Sequence, residues 1–243
     1  MTVLWSSTIF LSAFLLFLIQ PMMAKMILPL LGGTPAVWNT CMLFYQATLL
    51  AGYAYVHLIT SRLEARRQVL IHISFLILPL LMLPIGLPEG WAPPDQTNPA
   101  WWVLLLLSVV IGPAFFLLST TAPLLQKWFS WTDHPSAADP YFLYAASNAG
   151  SMVALFGYPL LVEPWVPVKG GQWLTQTSIW SIGYGLLVLF IAGCAWCVLH
   201  RARSEKAASS TDSRTQSAMR SALSTMTMLR WILLAFIPSS FLL

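Results

Sequence analysis

VLWSSTIFLSAFLLFLIQPMMA, residues 3–24, carries no charged side chain and a single amide. A helix over this run is about 33 Å long at 1.5 Å per residue, enough to cross a hydrocarbon core of roughly 30 Å. The stretch begins like a secretory signal. It lacks a basic leading segment, however, and its apolar run is long enough to span, so the expectation is an uncleaved first membrane helix. Five further runs have the same character, at 36–60, 69–87, 101–122, 141–162 and 173–199. A seventh starts at Trp231 and meets the end of the sequence at Leu243. Inside lipid, backbone polar groups must be satisfied within the segment, so such runs become helices. A transmembrane barrel would alternate polarity over about ten residues. Neither LLFLI (15–19) nor WVLLLLSVVIG (102–112) alternates. The expected fold class is therefore all-α, a polytopic transmembrane helix bundle with six complete spans plus a truncated seventh.

Composition agrees with that reading. Hydrophobic residues make up 58% of the 243 and charged residues 8%. A soluble domain carries about a quarter charged residues, and so few charges cannot cover a water-facing surface. The formal net charge of +4 is basic, but the basic residues sit in short segments between apolar runs. That is the pattern of topology signals and excludes nucleic acid as a partner; the lipid bilayer is the expected surrounding. Cys41, Cys194 and Cys197 all lie in apolar stretches, which is no secreted disulfide framework.

The breaks between runs have clear causes. Gly32, Gly33, Thr34 and Pro35 separate the first two, and Arg62, Glu64, Arg66 and Arg67 end the second. Residues 84–99, 127–140 and 163–172 are rich in proline, glycine or acids and read as loops. Three regions follow: a transmembrane domain over 1–200, a basic, Ser/Thr-rich flexible loop over 201–229, and the start of a seventh helix over 230–243. With the N-terminus inside, the inner segments hold Arg62, Arg66, Arg67, Lys127, Arg201, Arg203, Lys206, Arg214, Arg220 and Arg230, and the outer side only Lys25 and Lys169. This bias places the N-terminus and the 201–229 loop in the cytoplasm. Trp91, Trp101, Trp102, Trp128, Trp131, Trp165 and Trp173 fall near expected helix ends, as an aromatic belt would.

Charged and amide side chains inside spans are expensive, and each is a functional candidate. Gln20 and Lys25 lie at the outer end of the first run, beside Pro21, which removes a backbone donor and kinks a helix. Lys25 either snorkels to the outer headgroups or points inward to meet an anion or an acid. Asn39, Thr40 and Gln46 can line the same outward cavity, and Glu163 lies at a similar depth, within reach of a pair with Lys25. In the fifth run Ser147, Gly150 and Gly157 permit close helix approach, with Asn148 able to bond across it. Cys194-Ala-Trp-Cys197 with His200 has thiol-pair spacing, but it sits in an apolar helix and lacks a fourth ligand, so no metal site is assigned. His57 and His72 read as interfacial. Neither a nucleophile–base constellation nor a phosphate-binding glycine loop occurs, and no cofactor is expected.

QPMMAKMILPLLGGTPAVWNTCMLFYQATLLAGYAYVHL (20–58), STTAPLLQKWFS (119–130), DPYFLYAASNAGSMVALFGYPLLVEP (139–164) and LRWILLAFIPSSFLL (229–243) together resemble the bacterial fused MFS/spermidine synthase family. The resemblance runs from the first helix to the last residue. It implies a bacterial inner-membrane protein whose spans are like half of a major facilitator transporter. Family members continue into a synthase-like domain that transfers an aminopropyl group. This chain has no such α/β domain, so the resemblance carries over the membrane part and not the catalysis, and the chain is not expected to be an enzyme. From Trp231 to Leu243 a helix is about 20 Å long, too short to cross, which suggests an interrupted longer protein.

Two functions follow as expectations. One is a transport-like or small-molecule-binding domain for a small amine or nucleoside, needing a second membrane half. The other is a membrane anchor or scaffold for a downstream synthase-like domain, or a subunit of a larger membrane complex. The orientation is directly testable. A reporter active only outside the cytoplasm should be silent when fused within 201–229 and active within 84–99; the reverse pattern would overturn the charge argument.

Overall fold

The computed structural model describes residues 1–87, 90, 91, 93, 99–137, 139–168 and 174–208, the last eight as backbone. All regular structure among them is helical, in the order α1 (Thr2–Leu31), α2 (Pro35–Arg62), α3 (Ala65–Leu80), α4 (Pro99–Val110), α5 (Gly112–Phe129), α6 (Tyr141–Gly157), a π-helical turn (Tyr158–Val162), α7 (Glu163–Trp165) and α8 (Gln176–Ala208). Met1–Arg203 forms one compact unit, and a second begins at Ser204. Within the second, the backbone through Ala208 is helical, inside the stretch read as a linker from 201; the rest of that stretch and the seventh run lie outside the described residues.

Local chemistry sets the helix ends. Gly32 adopts φ 70°, and its N–H closes on the Leu28 carbonyl at 2.9 Å. Glycine tolerates this left-handed geometry without the penalty a side chain brings. Thr34 then caps α2, its hydroxyl accepting a long 3.5 Å bond from the Val37 N–H, with Pro35 in the first turn. Between α4 and α5 the chain bends by 67° at Ile111. Pro113 supplies no N–H to the preceding turn and restricts Gly112, so the helix cannot run straight through.

The span count differs from expectation. Four helices are long and apolar enough to cross: Thr2–Leu31, Pro35–Arg62, Tyr141–Trp165 and Gln176–His200; the bent α4–α5 pair makes up to five. The run at 69–87 does not become one long helix. α3 has 16 residues, about 24 Å, and ends at Pro79 and Leu80. The run at 101–122 is split by the Ile111 break.

α1 sits at the centre. Its closest neighbour is α6, where Gly150 lies directly on the Phe10 carbonyl, so a Cβ there would collide with backbone. Gly157, by contrast, faces open space, and Asn148 is exposed rather than bonded across the interface. On another side α1 meets α5: Ser12 Oγ donates to the Leu118 carbonyl at 3.2 Å, and the Trp5 ring stands edge-on to Phe129 at 5.4 Å. α8 closes the third side, with Trp180 Nε1 donating to the Leu15 carbonyl at 2.9 Å and Thr8 Oγ1 lying 3.5 Å from Cys194 Sγ. Residue numbers rise together along α1 and α6, and oppositely along α1 with α5 or α8. Helix directions follow: α6 runs parallel to α1, while α5 and α8 run against it.

α3 is held at its start by one amide, and near its end the Leu76 carbonyl accepts from the Tyr184 hydroxyl of α8 at 3.3 Å. Gln68, 1% exposed, donates from Nε2 to the Leu63 carbonyl at the end of α2 (2.8 Å) and accepts from Trp128 Nε1 of α5 (3.1 Å). Trp128 is therefore a core residue, not part of an interfacial belt. Trp101 and Trp165, 77% and 81% exposed, do occupy helix ends, and Trp173 lies outside the described residues. Substituting G150A forces α1 and α6 apart and should cost about 1–3 kcal/mol in a detergent melt, whereas G157A should be neutral or slightly stabilising.

Candidate functional site

The C-terminal halves of α1 and α6 do not close completely. A cavity of about 680 Å³ remains between α1, the start of α2, and the end of α6. Two prolines shape it. Pro21 interrupts the α1 ladder, and Gln20 next to it turns its Nε2 back to the Leu16 carbonyl at 3.3 Å. Pro159 cannot donate, and its ring crowds the carbonyl one turn earlier. The helix responds by widening into the π turn, in which the Glu163 N–H bonds to the Tyr158 carbonyl. Such single π turns recur at functional sites. This one turns Glu163 toward α1.

Lys25 Nζ and Glu163 Oε1 meet at 3.1 Å across the cavity. The side chains are 37% and 46% exposed, so the pair sits at the mouth of the cavity and not in its depth. Behind it the walls are mostly apolar and include Phe17, Val37, Trp38, Met42 and Leu155. Tyr158 also lines the cavity. Its hydroxyl donates to Gln176 Oε1 at 3.1 Å, and Gln176 Nε2 in turn donates to the Val166 carbonyl at 2.7 Å. Gln176 is 2% exposed. This chain of bonds pins the segment after the π turn to the start of α8.

Of the seven polar residues singled out from the sequence, three converge here: Gln20, Lys25 and Glu163. Lys25 meets an acid, Glu163, at the mouth of the cavity. The other four do not join them. Thr40 is buried, but its hydroxyl donates to the Ala36 carbonyl of its own helix at 2.8 Å. Asn39 and Gln46 are exposed on another face of α2, and Asn148 is exposed on α6. Position along a helix does not fix which way a side chain points; helix rotation does, and it turns Asn39, Gln46 and Asn148 away from the cavity. Tyr158 and Gln176 were not singled out. The signal available was Pro159, which marks the place where the helix has to change pitch.

The arrangement offers a cation acceptor and an anion acceptor side by side, backed by apolar and aromatic surface. It contains no activated nucleophile. Elsewhere, Cys194 is buried against Thr8 and Cys197 is half-buried. No group of three or more His, Cys, Asp or Glu side chains is disposed to hold a metal among the described residues. A second cavity, about 640 Å³, lies between Phe44, Phe75 and Phe116; the hydroxyls on its wall, Thr48 and Ser108, turn back to their own helices. No family model, curated protein or solved structure matches the chain.

A half-exposed ion pair contributes about 0–1 kcal/mol, so K25M should barely shift the melting temperature. Q176L strands the buried Tyr158 hydroxyl and the Val166 carbonyl and should cost about 1–3 kcal/mol. Equal losses in the two variants would mean that the Lys25–Glu163 pair carries the fold.

Proposed function

We propose that this chain is the multi-pass membrane domain of a bacterial inner-membrane protein, related to the membrane part of the fused MFS/spermidine synthase family. In this reading it binds a small organic amine for transport, without aminopropyl transfer of its own, and its N-terminus and 201–229 loop are cytoplasmic. The observation that carries the reading is the Lys25–Glu163 pair at 3.1 Å, set on an otherwise apolar cavity.

The physical logic is partner exchange. Glu163 holds the Lys25 ammonium while the cavity is empty. An incoming amine takes the place of that ammonium on the carboxylate, and its carbon chain covers Trp38, Val37 and Leu155. Charge-assisted hydrogen bonds of this kind are about twice as strong as neutral ones. The site has no net charge before binding, so only a cation that replaces Lys25 gains, and a neutral solute of the same size does not.

The directions of the helices bear on how many cross. α1 up, α2 down, α5 down, α6 up and α8 down is the order read from their contacts, and α3 folds back antiparallel on α2 through His72 and Phe75 against Tyr55. Parallel α1 and α6 require an odd number of crossings between them. The five-span count gives two, so α3 and the bent α4–α5 pair either both cross or both fail to. We favour both crossing, which makes six, because the six directions then alternate strictly.

The test is equilibrium binding of a radiolabelled 1,4-diamine to the full chain in lipid nanodiscs, followed by uptake into proteoliposomes. Saturable binding is expected, weakened at least tenfold, about 1.4 kcal/mol, by E163Q and strengthened several-fold by K25M. Absence of saturable binding of any amine would overturn the reading. So would tight binding that ignores E163Q.

A further inference from the structure

α2 is the least apolar of the four long helices, with a mean hydropathy of 1.2 over its best window against 2.1 for α1. It carries a row of side chains that no other described residue covers. Asn39, Leu43, Gln46, Leu50, Tyr53 and His57 are all exposed, with Leu43, Leu50 and Tyr53 at 60%, 70% and 54%. Their spacing is four, three, four, three, four. That is the heptad period, in which one stripe of a helix faces a single partner helix along its length. From Asn39 to His57 the stripe is about 27 Å long, close to the thickness of the hydrocarbon core. Gln46 falls near its middle. Among the described residues neither the Asn39 nor the Gln46 side chain makes a hydrogen bond within the chain.

An amide facing lipid at mid-membrane has no donor or acceptor to meet, and side-chain amides there draw helices together. The stripe itself indicates what fits. It holds no acid and no lysine or arginine, so two copies meet without like-charge repulsion. A carboxamide is both donor and acceptor, which makes it complementary to itself. Copies inserted by the same charge rule share one orientation. Their α2 helices therefore run parallel, and a two-fold axis along the membrane normal sets each residue against its own counterpart. Gln46 then meets Gln46, and Leu50 meets Leu50. Ala54, exposed beside the stripe, lets the helices approach closely, while Ala47 and Ala51 line the second cavity.

We propose that the chain self-associates in the bilayer through this face of α2, with the two Gln46 amides hydrogen-bonded across the axis. None of the stripe residues lines the Lys25–Glu163 cavity, to which α2 contributes Val37, Trp38, Cys41 and Met42 from its neighbouring face.

The experiment uses the full chain, labelled with one fluorophore and diluted into lipid bilayers, with photobleaching steps counted for single particles. Two-step traces should dominate at low protein density, and Q46L should weaken association at least tenfold while leaving helicity and melting unchanged. In parallel, L50C should give an oxidised covalent dimer. I182C, exposed on α8, and the unmodified chain with its native cysteines should not. Single-step traces for the wild type, association unaffected by Q46L, or cross-linking of I182C as readily as L50C would each overturn the proposal. If single-step traces came with pull-down of a different membrane protein, the face would belong to another partner and self-association would be wrong.

Discussion

The contact between Gly150 and the Phe10 carbonyl governs the rest of the architecture. In lipid there is little hydrophobic drive between helices, because the solvent is as apolar as the side chains; close backbone packing has to supply the attraction. A missing side chain at Gly150 allows that approach in the N-terminal half of α1. From this point α1 and α6 continue side by side toward their C-termini. Fifteen residues on along α1 and thirteen along α6, Lys25 and Glu163 arrive at 3.1 Å. The ion pair is downstream of the packing contact, not a cause of it.

The C-terminal halves of α1 and α6 depart from tight packing in an ordered way. Proline removes one backbone donor wherever it appears inside a helix. In α1 the loss at Pro21 sits beside Gln20; in α6 the loss at Pro159 is absorbed as a π turn. Both irregularities border the same cavity. Non-helical or widened backbone at membrane depth is tolerated where it is buried in protein or lines a cavity, and here it meets that condition.

Much of this was readable from residue type. Pro21, the Gly32–Pro35 turn, Gly150 as a contact point and a Lys25–Glu163 pair each follow from chemistry that acts over a few residues or from a matched depth. What escaped were properties of rotation and length. Asn39, Gln46 and Asn148 are exposed and face away from the cavity. Trp128 has the position of a belt residue, yet the hydrogen bond it makes depends on where Gln68 lies, sixty residues earlier. The run at 69–87 is apolar throughout, but hydropathy does not register that Pro79 ends the helix at Leu80.

That Gln68–Trp128 bond has a consequence in time. A chain grows at about 5–20 residues per second, so the partner of Gln68 emerges roughly 3–12 s after it. Through that interval the Gln68 amide oxygen of α3 is unanswered, and α3 holds to α2 alone, through Leu63 and through His72 and Phe75 against Tyr55. A helix of 16 residues with such a group is a poor passenger for lipid on its own. Its stable placement waits for α5, which makes the fourth segment the step at which the first half of the bundle becomes a single object.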